Sequence, residues 1–245
     1  MHISIVAEEI LNIWGFPITN TLLTAWLATL ILIIFAVLFR RTLKTIPGKL
    51  QSAVELVMEL FLDFMETVAG DRKTAIKFMP IVATLFFFIL LANWLGILPG
   101  VGSIGFTEFS EHGEKFVPLF RSVNSDLNMT LALAFVAVIL SHIVGVITVG
   151  FKHHVGKFLT VKSPVDSFSG ILEIVSEIAK VISLSFRLFG NVFAGEVLLT
   201  IIAFLVPYIA PIPFLGMELF VGLIQALIFA ILAMVAFSSF TRLEH

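Results

Sequence analysis

ILEIVSEIAKVISLSFRLFGNVFAGEVLLTIIAFLV, residues 171–206, decides the fold. The segment is apolar enough to enter a bilayer, yet it carries Glu173, Glu177, Lys180, Arg187 and Glu196. At 1.5 Å per residue a helix over it is about 54 Å long, nearly twice a hydrocarbon core of about 30 Å. Arg187 falls near its middle, where a charge on a lone helix costs between about 2.5 and more than 10 kcal/mol. Snorkelling from there is difficult for an upright helix. The helix must tilt steeply or lie partly along the membrane, with its polar groups against protein or water.

The spacing organises those groups. Glu173, Lys180 and Arg187 are seven apart, so at 100° per residue each step returns within about 20° of the same face, and Asn191 follows Arg187 at i+4. Glu196 lies about 180° round from Arg187 and about 13 Å further along, which turns it toward a different neighbour, most simply the next helix. On that helix Glu218 and Gln225 are again seven apart and share a face.

Outward from this segment the whole chain reads as membrane protein. Of 245 residues 59% are hydrophobic and 13% charged, against roughly 45–50% and 25% in soluble domains. Five stretches are long and apolar enough to span: 20–39, 78–98, 129–151, 171–206 and 213–241. The expected fold is all-α and polytopic, one membrane domain over 1–245, with the last two helices long and strongly tilted. The first stops at Arg40-Arg41 and the second at the breaker Pro99-Gly100. No basic n-region of a secretory signal precedes the first span, which is expected to be retained. The net charge of −2 provides no basic surface for nucleic acid, and the absence of Cys removes disulfides and thiolate metal sites.

Orientation follows from Lys and Arg near the span ends. Arg40, Arg41, Lys44, Lys49, Arg72, Lys73 and Lys77 lie between spans one and two, and Lys152, Lys157 and Lys162 between spans three and four. Both loops read as cytoplasmic. The second-to-third connection carries Glu108, Glu111, Glu114 and Asp126 against Lys115 and Arg121, and reads as external. The N-terminus is then outside, and Arg242 with the C-terminus inside. Residues 50–68 place Val54, Val57, Met58, Phe61, Leu62 and Met65 at helical spacing, an amphipathic helix at the cytoplasmic surface that either lies in the interface or packs on its own protein. His153-His154 completes no metal-ligand set of recognisable spacing. His142, single in an apolar span, reads as a packed or interhelical hydrogen-bonding residue.

Acidic and amide groups thus reach in from outside, namely Glu196, Glu218 and Gln225 with Asp126 and Asn128, while Glu173 and Glu177 lie near the cytoplasmic end. Between them sits one guanidinium, which stays charged inside proteins and cannot relay a proton itself. Two half-paths separated by a positive plug is the natural reading. A buried ion pair serving packing alone is the bland alternative, and for Glu177 and Lys180 it stands open.

SLSFRLFGNVFAGE (Ser183 to Glu196) followed by IQALIFA (Ile224 to Ala230) resembles the signature of subunit a of F-type ATP synthases. NWLGILPG closing span two, SDLNMT opening span three and ILEIVSEIAK at Ile171 to Lys180 resemble it too, in bacterial or chloroplast-like wording. The resemblance covers Phe78 onward closely and the N-terminal third only in layout. It implies a membrane stator holding two tilted helices against a rotating ring of c subunits, with b-type peripheral stalk subunits and the rest of F1Fo as further partners. Arg187 then faces the ring's carboxylate. Asn191, Glu196, Glu218 and Gln225 match positions lining the outer half-channel, and Glu173 with Ser176 the cytoplasmic exit. The position matching Glu218 alternates between His and Glu in that family, and here 196 and 218 are both Glu.

A proton entering along Glu196 and Glu218 would neutralise a ring carboxylate, and Arg187 would favour the deprotonated form of the next one. The resemblance implies no cofactor and no metal, and a place in a bacterial plasma membrane, the thylakoid being the alternative. No GxxxxGK loop is present, so ATP chemistry is expected on partner subunits. The alternatives are a sodium-coupled version of the same subunit, a secondary ion transporter, which predicts an internal repeat that is not visible, and a membrane hydrolase, disfavoured by the absence of HExxH and GxSxG.

Overall fold

The structure is a computed structural model, and it describes residues 7–13, 15–98, 100–110, 113–158, 164–207 and 209–239. Pro99, Glu111, Lys162, Thr241 and Arg242, used above for span ends and orientation, lie outside the described residues, as do the side chains of Glu108, Glu114, Lys115, Lys152, His153 and Lys157. The chain is all-α in its spans. α1 (Asn20–Thr42), α3 (Arg72–Ile97), α4 (Leu127–Val149), α6 (Pro164–Leu205) and α7 (Pro211–Ser239) are long and apolar enough to cross a membrane. α2 (Lys49–Ala69) and the short α5 (Phe151–Phe158) complete the helices.

Two antiparallel hairpins add what apolar windows of about 20 residues do not detect. β1 (Glu9–Ile13) pairs with β2 (Phe16–Thr19) before α1, and Gly15 in their turn takes φ 85°, a conformation that favours glycine. β3 (Gly105–Ser110) pairs with β4 (Gly113–Pro118) between α3 and α4.

α6 has 42 residues, about 63 Å of helix. It exceeds the apolar segment because Pro164 opens it, as the missing N–H and fixed φ of proline allow at a first helical position. Asp71 caps α3, accepting from the Thr74 backbone N–H at 2.8 Å. Its carboxyl is held below the usual carboxylate value by Thr74, first through the side chain and then the backbone.

The core joins α2, α3, α4, α6 and α7 through Met65, Phe78, Ile89, Ala134, Leu188, Met234 and Phe237, all essentially removed from solvent. Phe78 stacks on Phe237 at 5.3 Å, and Phe61 of α2 meets Phe86 of α3 at 4.8 Å. α2 thus packs one stripe on its own protein while leaving Leu56, Val57, Leu60 and Phe64 exposed.

At the far end of the spans a polar knot ties four helices. Asn124 Nδ2 donates to Asn93 Oδ1 at 2.7 Å, Asn93 Nδ2 to the Gly222 carbonyl at 3.0 Å, and Trp94 Nε1 to the Leu219 carbonyl at 3.1 Å. Thr21 Oγ1 of α1 donates to Asp126 Oδ2 at 3.0 Å. Gly96 has no room for a side chain, since a Cβ there would fall on Ser122. Asn93→Leu removes two of these bonds from a buried position, and should lower the unfolding midpoint in detergent by an amount worth about 0.6–2 kcal/mol, the range for interhelical hydrogen bonds in membranes.

Candidate functional site

One face of α6 is finished and the other is not. Val181, Leu184, Ser185, Leu188 and Val192 are buried against the neighbouring helices, and Ser185 Oγ lies 3.0 Å from Thr130 Oγ1 of α4. The opposite face exposes Ser176, Lys180, Ser183, Arg187 and Asn191, with Glu173 half-buried. Around them Ile178, Ile182, Phe186 and Ile201 stand exposed as well, Phe186 by 52%. Arg187 donates through Nη2 to Ser183 Oγ at 3.3 Å, and among the described residues it pairs with no carboxylate. A permanent cation therefore sits mid-helix on an apolar face that a monomer would turn to lipid.

Below Arg187, toward the start of α6, a groove of about 410 Å³ opens between α4, α6 and α7. Ser176, Lys180, Ser183 and Arg187 line one wall, with Ala137 and Ser239 on the others. Glu177, one residue off the exposed stripe, turns inward and is buried. Its Oε1 accepts from Lys180 Nζ at 2.7 Å, and its Oε2 lies 3.7 Å from His142 Nε2.

Above Arg187 the carboxylates gather differently from the simplest reading of the wheel. Gly195, not Glu196, meets α7: a Cβ at Gly195 would fall on the Glu218 carboxylate. Successive residues are 100° apart, so Glu196 turns away from α7. Its Oε1 accepts from Arg121 Nε at 3.1 Å, with the Arg121 side chain only 9% exposed. Glu196 Oε2 is buried and without a hydrogen-bond partner among the described residues. Glu218 and Gln225 are both buried on α7, one on either side of Gly222.

Asp126 is buried and serves structure here, capping α4 through the Asn128 N–H at 2.9 Å and accepting the Thr21 hydroxyl. Asn128 is exposed. From the sequence Arg121 counts only as a loop charge. The signal that could have marked it is a lone arginine just before a span in an otherwise acidic external connection, where positive charge is disfavoured.

The arrangement separates two polar regions along α6. Glu196 is about 13 Å beyond Arg187 and Glu177 about 15 Å before it. Each region combines titratable groups with a buried or grooved environment, and the exposed guanidinium stands between them. A guanidinium in that place repels a cation that approaches it from either region.

Residues 22–238 match the family described as ATP synthase A chain. Among relatives, the chain is 38% identical over 232 residues to ATP synthase subunit a of Mycobacterium ulcerans (strain Agy99), covering 93% of this chain and 88% of that one. It is 37% identical over 236 residues to ATP synthase subunit a of Mycobacterium tuberculosis (strain CDC 1551 / Oshkosh), with coverage of 93% and 88%. Against ATP synthase subunit a of Campylobacter jejuni subsp. jejuni serotype O:23/36 (strain 81-176) the identity is 33% over 222 residues, covering 89% and 88%.

Proposed function

This chain belongs to the ATP synthase A chain family, and from that premise we propose that it works as the proton-conducting stator of an F-type complex, with Arg187 set against a ring of c subunits. The observation that carries the contact is the unfinished face of α6: a guanidinium that meets no carboxylate among the described residues, set among exposed Phe186, Ile182 and Ile178. A central charge facing lipid costs several kcal/mol. A carboxylate-bearing partner helix removes that cost and covers the apolar residues at once.

In this reading a proton enters through the Glu196 and Glu218 region with Gln225 and Asn191, neutralises a ring carboxylate, and leaves through the groove lined by Ser176 and Lys180, near Glu173. Arg187 favours the ionised form of the arriving ring site and blocks a direct leak between the two sides. Each charge moved through 100 mV supplies about 2.3 kcal/mol, so several are pooled as rotation per ATP. The phosphate chemistry belongs to partner subunits, and b-type stalk subunits hold the chain against the torque. The Lys and Arg distribution supports an orientation with the N-terminus outside and the C-terminus cytoplasmic, and the wording of residues 183–196 supports a bacterial plasma membrane.

A photo-activatable residue at position 186 tests the contact. Irradiation of native membranes should cross-link it to a small two-span proteolipid carrying an intramembrane carboxylate, identified by mass spectrometry. Labelling of lipid alone would remove the ring from the α6 face.

A further inference from the structure

The short helix α5 brings a second histidine to the one in α4. His142 Nδ1 lies 3.1 Å from His154 Nε2, their rings meet edge to face at 5.3 Å, and Phe158 packs on both. On its other side His142 Nε2 faces Glu177 Oε2 at 3.7 Å, and Glu177 Oε1 is held by Lys180, which lines the groove below Arg187. His154 and Glu177 are each 8% exposed. Lys77 of α3 reaches α4 at Thr148, 3.4 Å away and more than one turn beyond His142. Among the described residues no group of three His, Asp or Glu could hold a metal ion. The line Lys180, Glu177, His142, His154 therefore runs from the groove through α6 and α4 to α5.

We propose that Glu177, His142 and His154 form a proton relay that carries protons from the groove below Arg187 to the α5 surface, in parallel with water in the groove itself. The proposal rests on the reading of the chain as a proton-conducting stator. Glu177 takes up a proton beside Lys180 and passes it from Oε2 to His142 Nε2. His142 gives its Nδ1 proton to His154 Nε2, and His154 releases its other ring proton to water. One proton moves, and both rings end neutral in the opposite tautomer, which ring rotation resets. The 3.7 Å step closes to a hydrogen bond with a shift of about 1 Å, within the looseness of proton-transfer groups at rest. Imidazole suits the role because it accepts on one nitrogen while donating from the other, and titrates near neutral pH.

The test uses assembled complexes in vesicles from which the ATP-synthesising head has been removed, with proton flow normalised to the amount of complex. His142→Ala should slow conduction roughly tenfold, the low side for a positioned proton-transfer group because the groove remains a second path. Added imidazole should restore the rate, and pyrazole, of the same shape but a far weaker base, should not. Rescue by both, or by neither, would show that His142 only fills space or clamps α5, and would overturn the relay. Glu177→Gln keeps the shape and removes the proton acceptor, so it should slow conduction comparably. A wild-type rate in Glu177→Gln overturns the relay whether or not His142→Ala assembles. A wild-type complex that conducts no protons would instead overturn the stator reading beneath it.

Discussion

Arg187→Ala should abolish proton-driven ATP synthesis and, in assembled complexes stripped of the ATP-synthesising head, raise passive proton flow above wild type. The residue sits on the exposed face of α6, steadied only by Ser183 among the described residues. Its loss therefore removes no ion pair among the described residues, and assembly should survive. What disappears is the fixed charge between the Glu196 and Glu218 region on one side and the groove on the other. Arg187→Lys should also abolish coupled synthesis, because lysine lacks the planar fork and shifts its pKa readily when desolvated. The measurement is ATP synthesis in intact vesicles beside proton uptake in stripped ones. Retained synthesis in Arg187→Ala would remove the role altogether, whereas abolished synthesis with no added leak would leave coupling and remove the plug.

Gly195→Ala should impair synthesis strongly while leaving the unfolding midpoint nearly unchanged. A Cβ at Gly195 occupies the place of the Glu218 carboxylate. That carboxylate is the far end of a flexible side chain, so it can swing aside, and the helices need not separate. The substitution therefore re-aims Glu218 without the overpacking cost of about 1–3 kcal/mol that a crowded core imposes. Glu218→Gln should reproduce the defect, since an amide keeps the shape and cannot carry the proton. Glu196→Gln should also slow synthesis, and leaves Arg121 beside a neutral amide. Coupling between the two carboxylates is read from the double variant, because neighbouring residues in one path do not add. Wild-type synthesis in Glu196→Gln, Glu218→Gln and the double variant together would dissociate both carboxylates from proton uptake.

The membrane class, the helical spans and the stripe through Glu173, Lys180 and Arg187 were legible from the chain alone. Each depends on local quantities: apolar length against bilayer thickness, and a 100° step along one helix. The hairpins at 9–19 and 105–118 escaped the same reading because short strands leave no mark in a window scaled to a membrane helix. Pairings between helices escaped it for a different reason. Periodicity placed Glu196 away from Arg187, but only the packing of α6 on α7 brought Gly195 to Glu218 and turned Glu196 toward Arg121. In the same way the chain offers His142 as a single residue of its span and Glu177 only as a partner for Lys180, and it is α5 that carries His154 back between α4 and α6 and sets His142 beside both His154 and Glu177. A helix's own faces follow from the order of its residues. Which neighbour each face meets depends on loop paths, axial offsets and the small residues that permit close approach, and these are settled only when all the helices pack together.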